Sequence, residues 1–195
     1  MTKTVYLVRH GQTFFNFYHK VQGRCDSPLN ETGIRQVEAT RDYFKKKGIK
    51  FDKAFSSTQE RASDTLEIIT DHKMKYKRLK DLREKSYGIY EGNDEYLLPW
   101  NRHDNQVDPS MEPNNEVVAR MRRAIIEILD GMQDGQIALV AGHGDILTRY
   151  VRADTEKKDF SGFRNASVVK LTFDGRKPHF VSYAWPAKRL FHWHW

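Results

Sequence analysis

Three short polar clusters in this chain combine residue types suited to handling a phosphoryl group. The first is Arg9-His10-Gly11-Gln12-Thr13. A neutral imidazole is a competent nucleophile near neutral pH. A guanidinium beside it can hold two phosphate oxygens at once, and a glycine lets the backbone N–H approach an anion. The second cluster is Ser56-Ser57 with Arg61. Ser57-Thr58-Gln59-Glu60 has capping-box spacing, which predicts a helix from Ser57 to about Asp71 with Arg61 one turn inside it. There the helix N-terminus and the guanidinium would both favour an anion. The third is Gly142-His143-Gly144, whose glycines remove side-chain bulk beside the histidine. Each cluster taken singly has a plainer reading: a surface Arg–His pair, a helix arginine paired with Glu60 or Asp64, and a structural histidine.

A carboxyl near such a pocket could serve as a general acid. Glu84, in Leu82-Arg83-Glu84, follows a predicted strand, and Asp81, Glu91 and Asp145 compete with it; residue chemistry does not choose among them. His143-Gly144-Asp145 and the terminal His192-Trp193-His194 contain metal-ligating types. Zinc sites normally need three or four protein ligands, and no set with a recognised spacing assembles here. The terminal run reads as an aromatic tail.

The elements that must position these residues alternate between strand and helix. Thr4 to Val8 is a β-branched apolar run that reads as a buried strand, followed by a long loop from Gly11 to Asn30. A helix is predicted over about Glu31 to Lys47, with Ile34, Val37 and Phe44 inward, Asn30 as N-cap and Gly48 as its stop. Phe51 to Phe55 and Tyr76 to Leu79 read as strands. About 91–113 has no periodicity and reads as an excursion able to cover a site, with Tyr96, Trp100 and Arg102 either touching a leaving group or packing the loop. The helix from about Asn115 to Met132 carries a stripe of Val118, Met121, Ile125, Ile128, Leu129 and Met132, a core face and not a cofactor site. Gln136 to Ala141 is a buried strand with a short helix behind Gly144, and Ala166 to Phe173 and Phe180 to Trp185 are closing strands. This alternation predicts a three-layer α/β/α sandwich with a mostly parallel central sheet. Ligands gather at the carboxyl ends of such strands. All three polar clusters sit at predicted strand ends, so they should meet at one sheet edge.

With 195 residues, 38% hydrophobic and 30% charged, the chain is of globular and not disordered composition. Its single cysteine, Cys25, excludes an intrachain disulfide and points to a reducing compartment, the cytoplasm. The first apolar run stops at Arg9, too short for a secretion signal or a membrane span. The net charge of +7 is spread over scattered basic residues without a nucleic-acid recognition element, and reads mainly as a solvated surface.

Leu7-Val8-Arg9-His10-Gly11-Gln12-Thr13, with Asn16 beyond it, resembles the signature of the histidine phosphatase (phosphoglycerate-mutase-like) superfamily. The resemblance continues in order through Gln22-Gly23-Arg24, Asp26-Ser27-Pro28-Leu29-Asn30-Glu31-Thr32-Gly33, Ser56-Ser57 with Arg61-Ala62 and Thr65, and Leu82-Arg83-Glu84. Tyr87-Gly88, Glu91-Gly92, Val140-Ala141-Gly142-His143-Gly144 and Asn165-Ala166-Ser167 complete it. The blocks span nearly the whole chain, which implies one domain over 1–195.

The resemblance implies roles. His10 would accept the phosphoryl group, while Arg9, Arg61 and His143 would hold its oxygens. Asn16, Gln22, Gly23 and the backbone of Gly144 would be further members of the phosphate site. Glu84 falls where the mutase-like branch keeps its proton donor. The acid-phosphatase branch has an aspartate directly after the second histidine, and here that position is Gly144, which argues against Asp145. Glycolytic mutases are longer, typically have tryptophan where this chain has Phe15, and show Gly-Trp where it has Gly23-Arg24. The resemblance thus implies a phosphatase for a small phosphorylated metabolite, with mutase-type transfer as the alternative. A non-catalytic phosphate-binding module would require loss of His10, Arg61 or His143, and all are present. Neither nucleic acid nor membrane is an expected partner, and a homodimer stays open. No cofactor or metal is expected, because the pocket brings its own cations. Turnover should therefore persist in excess EDTA; loss of phosphate release that zinc or magnesium restores would refute this.

Overall fold

The computed structural model describes residues 2–102 and 108–192. The first apolar run forms β1 (Lys3–Arg9), an inner strand of a six-stranded sheet. β2 (Lys53–Ser57), β3 (Lys77–Leu79) and β4 (Ile137–Gly142) join it in parallel. β5 (Val168–Asp174) and β6 (Lys177–Ala184) add an antiparallel pair, giving the order β3-β2-β4-β1-β5-β6.

Successive strand side chains point to opposite faces, and this sheet buries both. Val5 and Leu7 of β1 enter one apolar core with Met121, Ile128 and Ile146. Tyr6 and Val8 enter the other with Val37, Phe44 and Leu66. A strand covered on both sides needs no polar alternation, which explains its continuous apolar run. Helices α4 (Asn114–Asp130) and α5 (Gly144–Asp154) cover the first face, and α2 (Glu31–Lys46) and α3 (Glu60–Ile69) cover the second. The result is the expected α/β/α sandwich. Each fully buried leucine, such as Leu7 or Leu66, contributes roughly 1.5–3 kcal/mol.

Several boundaries differ from expectation. Helix α3 begins at Glu60, not Ser57, because Ser57 still pairs with Leu79 in the sheet. Its hydroxyl accepts from the Gln59 N–H at 3.2 Å, a local turn in place of a capping box. Ile34 of α2 is exposed, while Gly33 turns inward, where a Cβ would lie 2.0 Å from the Gln12 carbonyl oxygen. In α4 the inward residue is Val117, and Val118 is only half-buried. The loop after β1 contains a short helix, α1 (Phe14–Phe17), capped reciprocally by Thr13 and Asn16. Within 91–113, short 3-10 turns occupy Glu95–Leu97 and Pro99–Arg102, and 103–107 lie outside the described residues. Leu98 and Met111 pack with Val21 in a small separate cluster. No helix among the described residues is long and apolar enough to cross a membrane.

Asn30 links fold to site. Its Oδ1 caps α2 through the Gly33 N–H at 2.8 Å, and its Nδ2 donates to Gln12 Oε1 at 2.9 Å. Asn30→Ala should lower stability by about 1 kcal/mol, read as a lower urea midpoint at unchanged slope.

Candidate active site

The site begins with strand register. β1 and β4 run parallel with Arg9 opposite Gly142, and the His10 N–H donates to the Gly142 carbonyl at 3.0 Å. His10 and His143 therefore emerge side by side, with ring centroids 5.3 Å apart. The His10 Nδ1 lies 2.7 Å from the Gly11 carbonyl. A carbonyl only accepts, so Nδ1 carries the proton and Nε2 keeps its lone pair. Burial, then the charges of Arg61 and Arg9, hold the His10 imidazole well below its ordinary range, against the pull of the Gly11 carbonyl. Burial and Arg61 do the same to His143. Both rings are thus neutral near pH 7.

Arg61, in the first turn of α3, is fully buried. It donates to the Cys25 carbonyl and Asp26 Oδ1 at 2.8 Å each, and to the Gly23 carbonyl at 2.9 Å. Arg9 donates to the Phe163 carbonyl at 2.8 Å. Burial lowers its proton affinity, but a guanidinium remains charged. The glycines have distinct tasks. A Cβ on Gly144 would stand 3.1 Å from Arg9 Nε, so this glycine makes room for the guanidinium. A Cβ on Gly11 would stand 2.5 Å from the Gly33 carbonyl oxygen, so Gly11 permits close contact with α2 instead of approach to an anion.

Arg9, His10, Asn16, Gln22, Gly23, Arg61, Glu84 and Gly144 line one cavity of about 400 Å³, with His143 buried beside His10. The Nε atoms of Arg9 and Arg61 and both ring nitrogens of His143 are buried without a hydrogen-bond partner. Orphaned buried polar atoms are costly, and several of them beside the cavity that His10 lines suit an oxyanion. Asn16 Oδ1 takes hydrogen bonds from the Thr13 N–H at 3.3 Å and Asn165 Nδ2 at 3.2 Å. Its own amide N–H groups are thereby turned away from these two donors, on a residue that lines the cavity.

Of the four competing carboxyls, Glu84 and Asp145 line the cavity. Asp81 pairs with Arg123 at 3.0 Å. Glu91 accepts from Ser86 Oγ and the Tyr87 N–H at 3.0 and 2.8 Å. Glu84 accepts three backbone N–H groups: Lys85 at 2.9 Å, and Asp145 and Ile146 at 3.0 Å each. These favour its anion, but burial and then the Asp145 charge outweigh them and raise its carboxyl above the usual range.

Ser56 and Ser57 end β2, but their hydroxyls are used locally. Tyr96, Trp100 and Arg102 do not line the cavity; Trp100 packs against Tyr87 at 6.3 Å, and Tyr87, Glu95 and Leu98 line it instead. Among the described residues no group of three or more His, Cys, Asp or Glu is arranged to hold a metal. The side chains of His192, Trp193 and His194 lie outside the described residues. Sequence reasoning missed Asp26, Glu95 and the supporting task of Asn165. Asp26 and Asn165 were visible only as parts of matching blocks. Asn165 also donates to the His10 carbonyl at 3.2 Å, while Ala166 takes the left-handed φ of +55° and offers its N–H to the carbonyls of Arg9 and His10.

Two buried histidines beside the buried Arg61 and the half-buried Arg9, at the carboxyl edge of a mostly parallel sheet, form a site of an α/β protein suited to an oxyanion. A profile of the histidine phosphatase superfamily (branch 1) matches residues 5–186. The chain belongs to that superfamily. It is 32% identical over 182 residues to a Bacillus subtilis protein described as the uncharacterized phosphatase PhoE, covering 89% of this chain and 90% of that one. It is 31% identical over 166 residues to a 2,3-bisphosphoglycerate-dependent phosphoglycerate mutase of Beijerinckia indica, covering 77% and 80%. The crystal structure of phosphoglycerate mutase from Bacillus anthracis superposes with a TM-score of 0.82 at 27% identity, over 93% of this chain and 92% of that one.

Arg61 joins the cavity to the loop at 23–26 through three hydrogen bonds of its guanidinium. Arg61→Ala should lower the melting temperature and abolish stabilisation by inorganic phosphate, whereas Gln22→Ala should weaken the phosphate effect with little change in melting temperature. Thermal unfolding with and without phosphate checks both.

Proposed function

We propose that this chain is a phosphatase that hydrolyses the phosphomonoester of a small metabolite through a phosphohistidine on His10. The observation that carries the reading is the His10 ring, neutral, with Nδ1 engaged by Gly11, its Nε2 available, and unpartnered arginine and histidine nitrogens clustered around it. Arg9, Arg61 and His143 would hold the equatorial oxygens, aided by Asn16, Gln22 and the backbone at Gly23 and Gly144. Cations fixed in place before the reaction stabilise charge on those oxygens without reorganising. His10 Nε2 would attack phosphorus while Glu84 gives its proton to the departing oxygen. A water would then attack phosphorus, giving its proton to Glu84 as the N–P bond breaks and the electron pair returns to His10 Nε2, leaving inorganic phosphate and free His10. A raised Glu84 carboxyl suits the acid step, and the cavity of about 400 Å³ suits a small metabolite.

Hydrolysis is favoured over mutase-type transfer by the Bacillus subtilis relative described as a phosphatase, by Gly23-Arg24 and by Phe15. Rapid quenching with a ³²P-labelled alkyl phosphate should trap acid-labile, base-stable label on the His10 peptide, and His10→Ala should erase it. Label should chase to inorganic phosphate; chase onto added phosphoglycerate would instead establish transfer. Glu84→Gln should slow an alkyl phosphate by about 100-fold or more and an aryl phosphate less, because a basic leaving oxygen needs its proton most. Label on His143, or turnover retained by His10→Ala, would reverse the assignment.

A further inference from the structure

Glu84 is held by a helix N-terminus, a setting that works against a proton donor. Two of its three N–H contacts come from Asp145 and Ile146 in the first turn of α5. Helix N-termini favour the carboxylate over the carboxylic acid. Something fixed must oppose them if Glu84 is to keep its proton near neutrality.

The residue that donates one of these N–H groups also carries a carboxylate. Asp145 Oδ2 accepts from the Tyr87 hydroxyl at 3.2 Å, and Oδ1 lies 2.8 Å from Arg149 Nε, one turn along α5. Its carboxylate is therefore hydrogen-bonded at one oxygen and ion-paired at the other, half-buried on the cavity wall it shares with Glu84 and Tyr87. We propose that Asp145 and Arg149 are positioning residues that set the pH at which Glu84 holds its proton, Asp145 by repulsion and Arg149 by moderating that repulsion. This inference rests on Glu84 being the proton donor proposed above.

The charged and titratable groups that interact with Glu84 include Arg9 from β1, Lys85 and Tyr87 from its own loop, and Asp145 from α5, whose carboxylate pairs with Arg149. Arg9 belongs to the phosphate site. Lys85 donates to Asn114 Oδ1 at 2.8 Å and sits 5.6 Å from the Tyr87 ring centre. Tyr87 is kept neutral, its phenol pushed well up by burial and then by the Glu84 and Asp145 charges. Among these groups, Asp145 is the one other acid that bonds directly to Glu84 through its backbone. Burial and Asp145 are also the two causes that raise the Glu84 carboxyl.

The signs are opposite for the two partners. Removing the Asp145 charge lowers the Glu84 proton affinity directly and leaves Arg149 unopposed, which lowers it further. Removing Arg149 raises it, both by loss of a nearby cation and by baring Asp145. A group present only to hold α5 in place would move neither in a signed way. Asp145→Asn keeps the acceptor for Tyr87 and the backbone N–H; Arg149→Met keeps a helix-favouring side chain of similar reach.

The test is the pH profile of kcat/KM for β-glycerol phosphate, together with the ¹³C titration of the Glu84 carboxyl carbon, assigned by its disappearance in Glu84→Gln. The base-side limb and the carboxyl titration should move down by about one pH unit in Asp145→Asn and up in Arg149→Met. The acid-side limb, set by His10, should stay well below pH 6.5 in all three proteins. If Glu84→Gln removes the base-side limb while both other variants leave it and the carboxyl titration in place, or move them in the same direction, the tuning is wrong and the proton donor stands. If Glu84→Gln retains the wild-type limb, the proton donor itself is misassigned and the inference falls with it.

Discussion

The pairing of Arg9 with Gly142 across β1 and β4 is the constraint on which the rest of the site rests. A slip of one residue in either strand would exchange the faces of every side chain in it. Val5 and Leu7 would leave one core for the other, and His10 would no longer stand beside His143. The two apolar cores therefore enforce the register, and the register places the histidines. Ala166 completes the arrangement from the other side of β1 by donating to the carbonyls of Arg9 and His10 from a left-handed backbone. Such strain persists only where surroundings over-determine it, and here a buried Thr40 hydroxyl bonds the Ala166 carbonyl at 2.6 Å.

Placing a wholly buried arginine next to two histidines has consequences for proton state. An isolated buried charge is expensive. Arg61 meets the cost with two backbone carbonyls and Asp26, all from the loop at 23–26. Asp26 also accepts from the Glu60 N–H, so one carboxylate holds both the helix start and the arginine. Burial, and then the remaining positive field, suppress protonation of His10 and His143. The same charges that could receive a phosphate therefore keep the nitrogen beside it unprotonated, with its lone pair free.

How much of this could be read beforehand depended on whether the cause was local. The strands at Thr4 to Val8 and Gln136 to Ala141 were legible because sheets covered on both faces demand uninterrupted apolar runs. The N-cap at Asn30 was legible because its partner, Gly33, is three residues away. The start of α3 was misplaced because the sheet pairing of Ser57 with Leu79 overrides a local capping pattern. Asp26, Glu95 and the orienting hydrogen bond from Asn165 to Asn16 connect residues far apart in the chain. No periodicity or short spacing encodes such contacts. Gly11 shows the opposite error: a residue type that suits anions is here required by its approach to Gly33.

The site divides between two kinds of structure. The groups suited to phosphorus come from strand ends, a helix start and the loop at 22–26, all braced by the two cores. The carboxyl suited to the leaving group comes from the segment after β3, and that same stretch brings Tyr87, Glu95 and Leu98 to the cavity wall. On the proposed chemistry, leaving-group contact and protonation would share one irregular stretch, tied to the frame by Glu84 on α5 and by Glu112 on Arg120 and Arg24. A change in 87–98 could reshape what the cavity admits without moving His10, Arg61 or His143. Tyr87 lies in the same stretch, and its hydroxyl donates to Asp145, whose backbone N–H bonds Glu84. On the proposed chemistry, the wall that would meet the leaving group and the carboxyl that would protonate it are therefore linked through Tyr87 and Asp145.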